Sequence, residues 1–423
     1  MPETLSLDHV ADLLRPGMRV FVPGASNEPV ALLEALAARP DKTAGVTFVQ
    51  FPLPGMNQTD FAGWHAQTRM ESFFLSPAIR ASFAAGKVDF LPLHMRRVYT
   101  HLATCAPFDL VLIQVGRDAQ GVLRHGPNVD FLEAVLGNRV RVLAEENRAL
   151  TMPVGGAAID PAEIDYLVES NHPLPELARP SIDADSATIG REVARLIPDG
   201  ACIQTGIGSI PAAVLAALSD HNDLGMHGGL LDAAGLDLIE QGAVTGAHKE
   251  IDRSRHVTGM ALGDADFYDR LAERSDVVFK PARYTHEVGV MSELQRFVSI
   301  NSAVEVDLLG QVSAEMVGGK QISGTGGSVD FMRGAAASLG GRSIVAMTAT
   351  ARRGTVSRIV PAIATGSVVT AARTDVDTVV TEHGVAELKG RSLDARAAAL
   401  IDIAAPQVRD ELRAAWRERR ASM

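Results

Sequence analysis

Two stretches of the chain repeat one local pattern. VADLLRPGMRVFVPGASNEPVALLEALAARP starts at Val10, and VARLIPDGACIQTGIGSIPAAVLAALSDH starts at Val193. Each runs from a helix end through a Pro/Gly turn into a short apolar strand, 20–22 and 202–204. A glycine turn follows, then an Ala/Leu-rich helix, 30–38 and 212–218. Ala and Leu lead the helix propensities, and Pro29 and Pro211 suit a first helical turn. A strand that feeds a covering helix at two distant places restricts the chain to α/β architecture, duplicated rather than repeated as a solenoid. Further apolar runs bounded by breakers lie at 46–51, 108–115 and 139–143, then at 277–279, 297–300, 344–347 and 376–380. Continuous apolar runs suit parallel strands buried on both faces. The predicted fold is therefore α/β, two tandem open-sheet domains related by internal duplication, over 1–180 and 181–423. The divider is HPLPELARP at 172–180, whose three prolines in nine residues cannot continue a helix or a central strand.

A chain of 423 residues is too long for one average domain, and 46% hydrophobic with 22% charged residues describes a globular protein with a large core. The net charge of −11 argues against a nucleic-acid partner but leaves room for local cations that hold a phosphorylated small molecule. No uncharged apolar run reaches membrane-spanning length, and the opening MPETLSLDHVADLL has acids where a signal peptide needs basic residues. The expectation is a cytoplasmic protein that does not engage a membrane. Cys105 and Cys202 stand far apart, outside any CxxC or Cys/His spacing, so reduced thiols and no metal are expected.

Four glycine- or charge-bearing stretches suggest a site. QTGIGSIP at 204–211 is a phosphate-type loop: Gly206 and Gly208 let backbone N–H groups approach an anion ahead of a helix N-terminus. QISGTGGSVDFMRGA at 321–335 packs Gly324, Gly326 and Gly327 around Thr325, and its N–H groups suit a developing oxyanion. TEHGVAELKGR at 381–391 follows the run VDTVV and puts Glu382 and His383 at a strand's C-terminal end, where α/β folds place ligands. Glu387 and Lys389 read as solvated charges at a helix start. YTHE at 284–287 follows VVFKP, and His286 with Glu287 suits an acid/base pair. A plain turn explains any one of these stretches taken alone.

Together they carry a resemblance. QISGTGGSVDFMRGA, SRIVP at 357–361 and VVTEHGVAELKGRSLDARAAALIDIAAP from Val379 resemble the acetyl-CoA hydrolase/transferase family. The nearest type is the 4-hydroxybutyrate CoA-transferases of class I. SINSAVEVDLLGQV from Ser299, NHPLPE at 171–176, GIGSIPAAVL and SPAIRASFAAG from Ser76 fit it too. The resemblance implies two CoA-transferase-like domains, acyl-CoA bound in the cleft between them, the CoA side held by the second domain, and a homo-oligomer, a dimer. It implies coenzyme A as the acyl carrier, a small carboxylate as possible co-substrate, and no metal. Lys320 and Arg333 lie in matching motifs and are expected to help hold CoA. The aromatics Phe61, Trp64, Phe73 and Phe74 would line the acyl side.

The family mechanism uses a glutamate carboxylate that attacks the thioester and becomes a glutamyl-CoA. That glutamate sits in a segment like LGIHSEM. Here the segment is LGMHGGL, and the glutamate's place falls on Gly229, two residues after His227. The family's Asn–Pro pattern is also replaced in YTHEV, and an SPPDxxG-like loop here reads GRDAQG. Glu382, matching an auxiliary active-site glutamate, and the GTGG loop remain. The resemblance thus leaves three expectations open. One is acyl-CoA hydrolysis or another acyl transfer without a glutamyl-CoA, with His227 or His286 activating water near an ordinary histidine pKa of ~6.5. A second is carboxylate CoA transfer through a relocated nucleophile such as Glu287. The third is an acyl-CoA-binding protein without catalysis.

Overall fold

The computed structural model describes residues 2–105, 107–137 and 140–423. Among these, the chain divides into two compact units. The first comprises Met1–Arg179, Gly229–Ala233 and Val257–Thr285, and the second Pro180–Gly228, Ala234–His256 and His286–Met423. The chain first passes between them at the end of the proline-rich stretch 172–180, which forms neither helix nor strand. Two segments that the sequence assigns to the second half return to the first unit.

In the first unit the described residues build a nine-stranded sheet. Its order is Glu3–Thr4, Tyr166–Ser170, Arg141–Thr151, Leu110–Arg117, Arg19–Phe21, Thr47–Gln50, Arg69–Ser72, Val88–Phe90. These neighbours pair in parallel, and Leu123–His125 adds an antiparallel hairpin on Leu110–Arg117. Seven residues of Leu110–Arg117 are buried, as expected for a central strand covered on both faces. The predicted runs 46–51 and 108–115 are found here shifted by a residue or two. The run 139–143 is found as the start of Arg141–Thr151, with Arg139 itself outside the described residues. Phe48, Phe61 and Trp64 pack together, Phe48 and Phe61 stacked at 5.0 Å, so these aromatics belong to the core. Phe73 is fully buried, while Phe74 lies against Phe51.

The second unit holds a six-stranded sheet in the order Gly225–Met226, Cys202–Thr205, Phe297–Asn301, Arg342–Ala346, Thr378–Thr381, Gly384–Glu387. The first five strands are parallel and the last is antiparallel. Two sequence expectations are corrected. Val277–Phe279 lies outside both large sheets, because three apolar residues signal burial without saying which sheet supplies it. Glu387 does not start a helix. It ends the edge strand Gly384–Glu387 and pairs with Arg342 at 2.5 Å, while Lys389 lies 3.5 Å from Asp377.

Helix Ala184–Ala194 crosses helix Ser209–Ala217 at Gly190, where a β-carbon would stand 2.5 Å from the Ala213 carbonyl oxygen. Gly190→Ala is expected to destabilise the protein by ~1–3 kcal/mol through overpacking. It should lower the urea midpoint at unchanged slope. An unaltered midpoint would refute the close approach.

Candidate active site

The parallel strands of the second unit end on a common edge, and four of the sequence-predicted residues follow them directly. His227 follows Gly225–Met226, and its backbone N–H donates to the Ile203 carbonyl at 3.1 Å. Gly206 and Gly208 follow Cys202–Thr205, and Glu382 follows Thr378–Thr381. The carboxyl ends of parallel strands are where open α/β sheets take ligands. Gly208 adopts φ 115° at the N-terminus of helix Ser209–Ala217, a conformation open to glycine and strained for other residues. No atom lies within 4 Å of the place a β-carbon would take at Gly206 or Gly208, so the backbone there is approachable.

The loop 324–327 leads into helix Ser328–Ala337, with Gly327 as its N-terminal cap and Gly326 at φ 58°. Gly324 is buried, Thr325 half-buried, and the space beside Gly326 is open. The loop is braced from behind. Buried Glu315 accepts hydrogen bonds from Gln321 Nε2 and the Thr370 hydroxyl, both at 2.9 Å. Gln321 Nε2 also donates to the Ser323 carbonyl. A braced loop at a helix N-terminus offers an anion preset N–H groups and favourable potential.

Glu382 is held by the backbone. Its Oε2 accepts from the Ala349 N–H at 2.8 Å, and His383 Nε2 stands 3.6 Å from its other oxygen. Burial pulls the Arg358 guanidinium below its usual pKa, and the Glu382 carboxylate opposes that shift. The two predicted CoA-holding cations fare differently. Lys320 is exposed on a two-stranded hairpin, Met316–Val317 with Lys320–Gln321. Arg333 Nη2 lies 3.4 Å from Asp375 Oδ2, so its charge already has a partner.

His286 departs from the expectation of an ordinary histidine. It is 2% exposed, its ring centroid lies 4.4 Å from that of Phe331, and its pKa is pushed down to about 3. Burial is the main cause and His227 adds to it. It is neutral at physiological pH and a weak base, so the pairing with Glu287 as acid and base is not supported. Glu287 is half-buried and caps the short helix Val288–Ser292. His227 is fully buried, edge-on to Phe297 at 6.2 Å. The strand ahead of it is fixed by buried Lys249, whose Nζ donates to the Met226 and Arg255 carbonyls at 3.2 and 2.8 Å. Burial lowers the Lys249 pKa and pushes the adjacent Cys202 thiol up to about 12, far from a reactive thiolate.

Gly229 belongs to the first unit, where it is buried and its carbonyl accepts from the Met260 N–H at 3.0 Å. This bond opens the parallel pairing of Leu230–Asp232 with Met260–Leu262. Beside it stands a residue that the sequence did not single out. Asp130 is 1% exposed. Burial pushes its pKa up to about 8. Asp130 lines a small cavity of about 20 Å³ with Phe21, Phe51, Leu53, Phe131 and Met260. A free volume of that size suits one water.

The fold and the strand-end site define an α/β enzyme built on two mainly parallel open sheets. Residues 3–177 match the acetyl-CoA hydrolase/transferase N-terminal domain and residues 263–416 the C-terminal domain of the same family. The chain is 37% identical to a 4-hydroxybutyrate coenzyme A transferase of Clostridium kluyveri, covering 95% of this chain and 94% of that protein. The crystal structure of RipA from Yersinia pestis superposes with TM-score 0.92 at 31% identity, covering 99% and 98% of the two chains. A 4-hydroxybutyrate CoA-transferase structure from Porphyromonas gingivalis gives TM-score 0.81 at 31% identity, again over 99% and 98%. The chain belongs to the acetyl-CoA hydrolase/transferase family. It is an enzyme of the CoA-transferase or acyl-CoA hydrolase class.

Asp130 makes a measurable demand on the fold. In the unfolded chain an aspartate ionises near pH ~3.9; in the folded protein Asp130 ionises at about 8. Between those values the folded state binds a proton that the unfolded state has lost. Stability is therefore full below the lower value and declines as pH rises, by up to ~1.4 kcal/mol per pH unit for this group. Asp130→Asn removes that slope. Its gain in melting temperature over the wild type should widen from pH 5 to pH 8, and parallel curves would show that Asp130 is ionised in the fold.

Proposed function

We propose that this enzyme hydrolyses acyl-CoA thioesters without forming a glutamyl-CoA intermediate. Gly229 supports this most directly. It stands where the family resemblance puts the nucleophilic glutamate, and no glutamate occurs between Glu192 and Glu240. Glu240 ends the helix Ala233–Glu240, a separate element from the LGMHGGL segment. The elements suited to the coenzyme and the oxyanion are present: open backbone at Gly206, Gly208 and Gly326, a braced 324–327 loop at a helix N-terminus, and backbone-held Glu382. The loop's N–H groups would receive the thioester oxygen as it gains charge, each such donor lowering the barrier by ~3 kcal/mol. Lys320 would meet a CoA phosphate from its exposed hairpin. The family resemblance also supports a cytoplasmic homodimer, with acyl-CoA and no metal.

A second reading keeps CoA transfer, with Glu287 as nucleophile. Its half-buried position makes its carboxylate reachable, whereas His286 beside it is buried. Glu287 would take the acyl group as an anhydride, then CoA as a thioester, and pass CoA to a carboxylate acceptor.

Incubation with acetyl-, propionyl- or butyryl-CoA should release free thiol without acceptor. CoA exchange only when acetate is added, with Glu287 labelled on peptide mapping, would replace hydrolysis by the second reading. Lys320→Ala should raise KM roughly threefold at unchanged kcat, as loss of one exposed charge contact. The difference should shrink at high salt.

A further inference from the structure

Oxyanion stabilisation needs donors that stay in place while charge builds on the substrate oxygen. A glycine loop does not hold itself. Thr325, Gly326 and Gly327 are only half-buried, and the space beside Gly326, at φ 58°, is open. Order has to be imposed from behind, and three side chains outside the glycines do so. Thr370 is the far end, anchored by its N–H on the carbonyl of the core residue Val312 at 2.8 Å. Its hydroxyl accepts from the Ala314 N–H at 3.0 Å and donates to Glu315 Oε1 at 2.9 Å. Glu315, 4% exposed, accepts on its other oxygen from Gln321 Nε2 at 2.9 Å. The same Gln321 nitrogen donates to the Ser323 carbonyl, also at 2.9 Å. The Glu315 carbonyl takes the Ile322 and Ser323 N–H groups at 2.9 and 3.4 Å. These bonds converge on the peptide that enters the loop. The Ser323 carbonyl and the Gly324 N–H share one planar unit, so pinning the first aims the second.

We infer that Thr370, Glu315 and Gln321 form a positioning relay for the acyl-CoA reaction, holding the 324–327 loop so that its N–H groups meet the thioester oxygen as the carbonyl carbon turns tetrahedral. The inference rests on the oxyanion role proposed above for this loop, and it holds for hydrolysis and for CoA transfer alike, since both pass through such an adduct. A buried carboxylate is costly, and an apolar residue would fill the same space at less expense. What Glu315 adds is direction. Its two oxygens tie the 364–371 segment to the loop entry, and both donors reach it at well-formed hydrogen-bond length. Satisfied buried networks of this kind specify one geometry. That matters here because a misplacement of ~1 Å costs ~100-fold in rate. None of the three side chains has to touch the substrate.

Thr370→Val keeps the shape and removes the hydroxyl, and Gln321→Met keeps the length and removes both amide bonds. Each should lower kcat ~10-fold with KM changed by less than about twofold. Thr370→Ser, which restores the hydroxyl, should recover the wild-type kcat. Rates are read as thiol release, or as CoA exchange where the wild type turns over only with acetate, so a failure of hydrolysis leaves the test intact. Two CoA analogues separate positioning from binding. S-ethyl-CoA has no carbonyl, and each variant should bind it as the wild type does. A trifluoromethyl ketone with methylene in place of the thioester sulfur hydrates to a tetrahedral diol. The wild type should bind it more tightly than S-ethyl-CoA, and each variant should lose ~10-fold of that preference. The double variant should lose little more than either alone, because both cut one relay. A wild type that binds the two analogues equally would overturn the oxyanion role of the loop, and the relay with it. Where the wild type prefers the ketone, three results would each overturn the relay and leave the loop's role standing. They are undiminished kcat in folded Gln321→Met, parallel loss of kcat and S-ethyl-CoA affinity, and Thr370→Ser as slow as Thr370→Val. Gln321 is half-buried on its hairpin, so its variant decides the matter where Thr370→Val does not fold.

Discussion

A single backbone hydrogen bond, Met260 N–H to the Gly229 carbonyl, fixes the corner of the first unit on which the proposed chemistry depends. It sets the register of Leu230–Asp232 against Met260–Leu262. The chain can pass this closely only because Gly259 has no side chain: a β-carbon there would collide with the Asp130 carboxyl. Around it the loop 126–130 is tied down by the Val129 N–H on the Gly259 carbonyl and the Ala261 N–H on the Pro127 carbonyl. The Asp130 backbone is engaged as well, its N–H donating to Asn128 Oδ1 and its carbonyl accepting from the Ala282 N–H.

The second unit solves a different problem. Its parallel strands are buried along nearly their whole length, and sites on such sheets form where the strands end. Glu382 and Lys249 are each braced by main-chain partners, with their carboxylate or ammonium next to a strand terminus. Backbone partners do not change rotamer, so such charges are held with little loss of side-chain freedom on binding. His286 illustrates the opposite use of burial. Packed on Phe331, it loses basicity to its burial.

Much of the architecture was legible in the sequence because parallel strands leave continuous apolar runs. The runs at 108–115 and 297–300 correspond to Leu110–Arg117 and Phe297–Asn301. Val277–Phe279 was misassigned because burial does not reveal pairing partners. Glu387 was misread because an antiparallel edge strand tolerates charge on its open side as a helix start does. The glycine loops could be read from spacing alone, since the conformations they allow are written in the residue type. Asp130 could not. Its exceptional property is a carboxyl almost wholly buried, which only three-dimensional packing creates. The one local hint is an acid set directly between Val129 and the apolar pair Phe131–Leu132.

The first unit is discontinuous in the chain, and this has a consequence for biosynthesis. Leu230–Asp232 and Met260–Leu262 belong to it, yet they follow its large sheet by more than fifty residues of chain that fold elsewhere. A nascent chain ending near residue 180 has every strand of that sheet but not the pieces that close over Asp130. Until residue 285 has emerged, the first unit lacks Gly229–Ala233 and Val257–Thr285 in full. Such partly closed species are the ones most exposed to misassembly and to capture by chaperones. The chain order that places these segments late therefore also sets a late checkpoint in its folding.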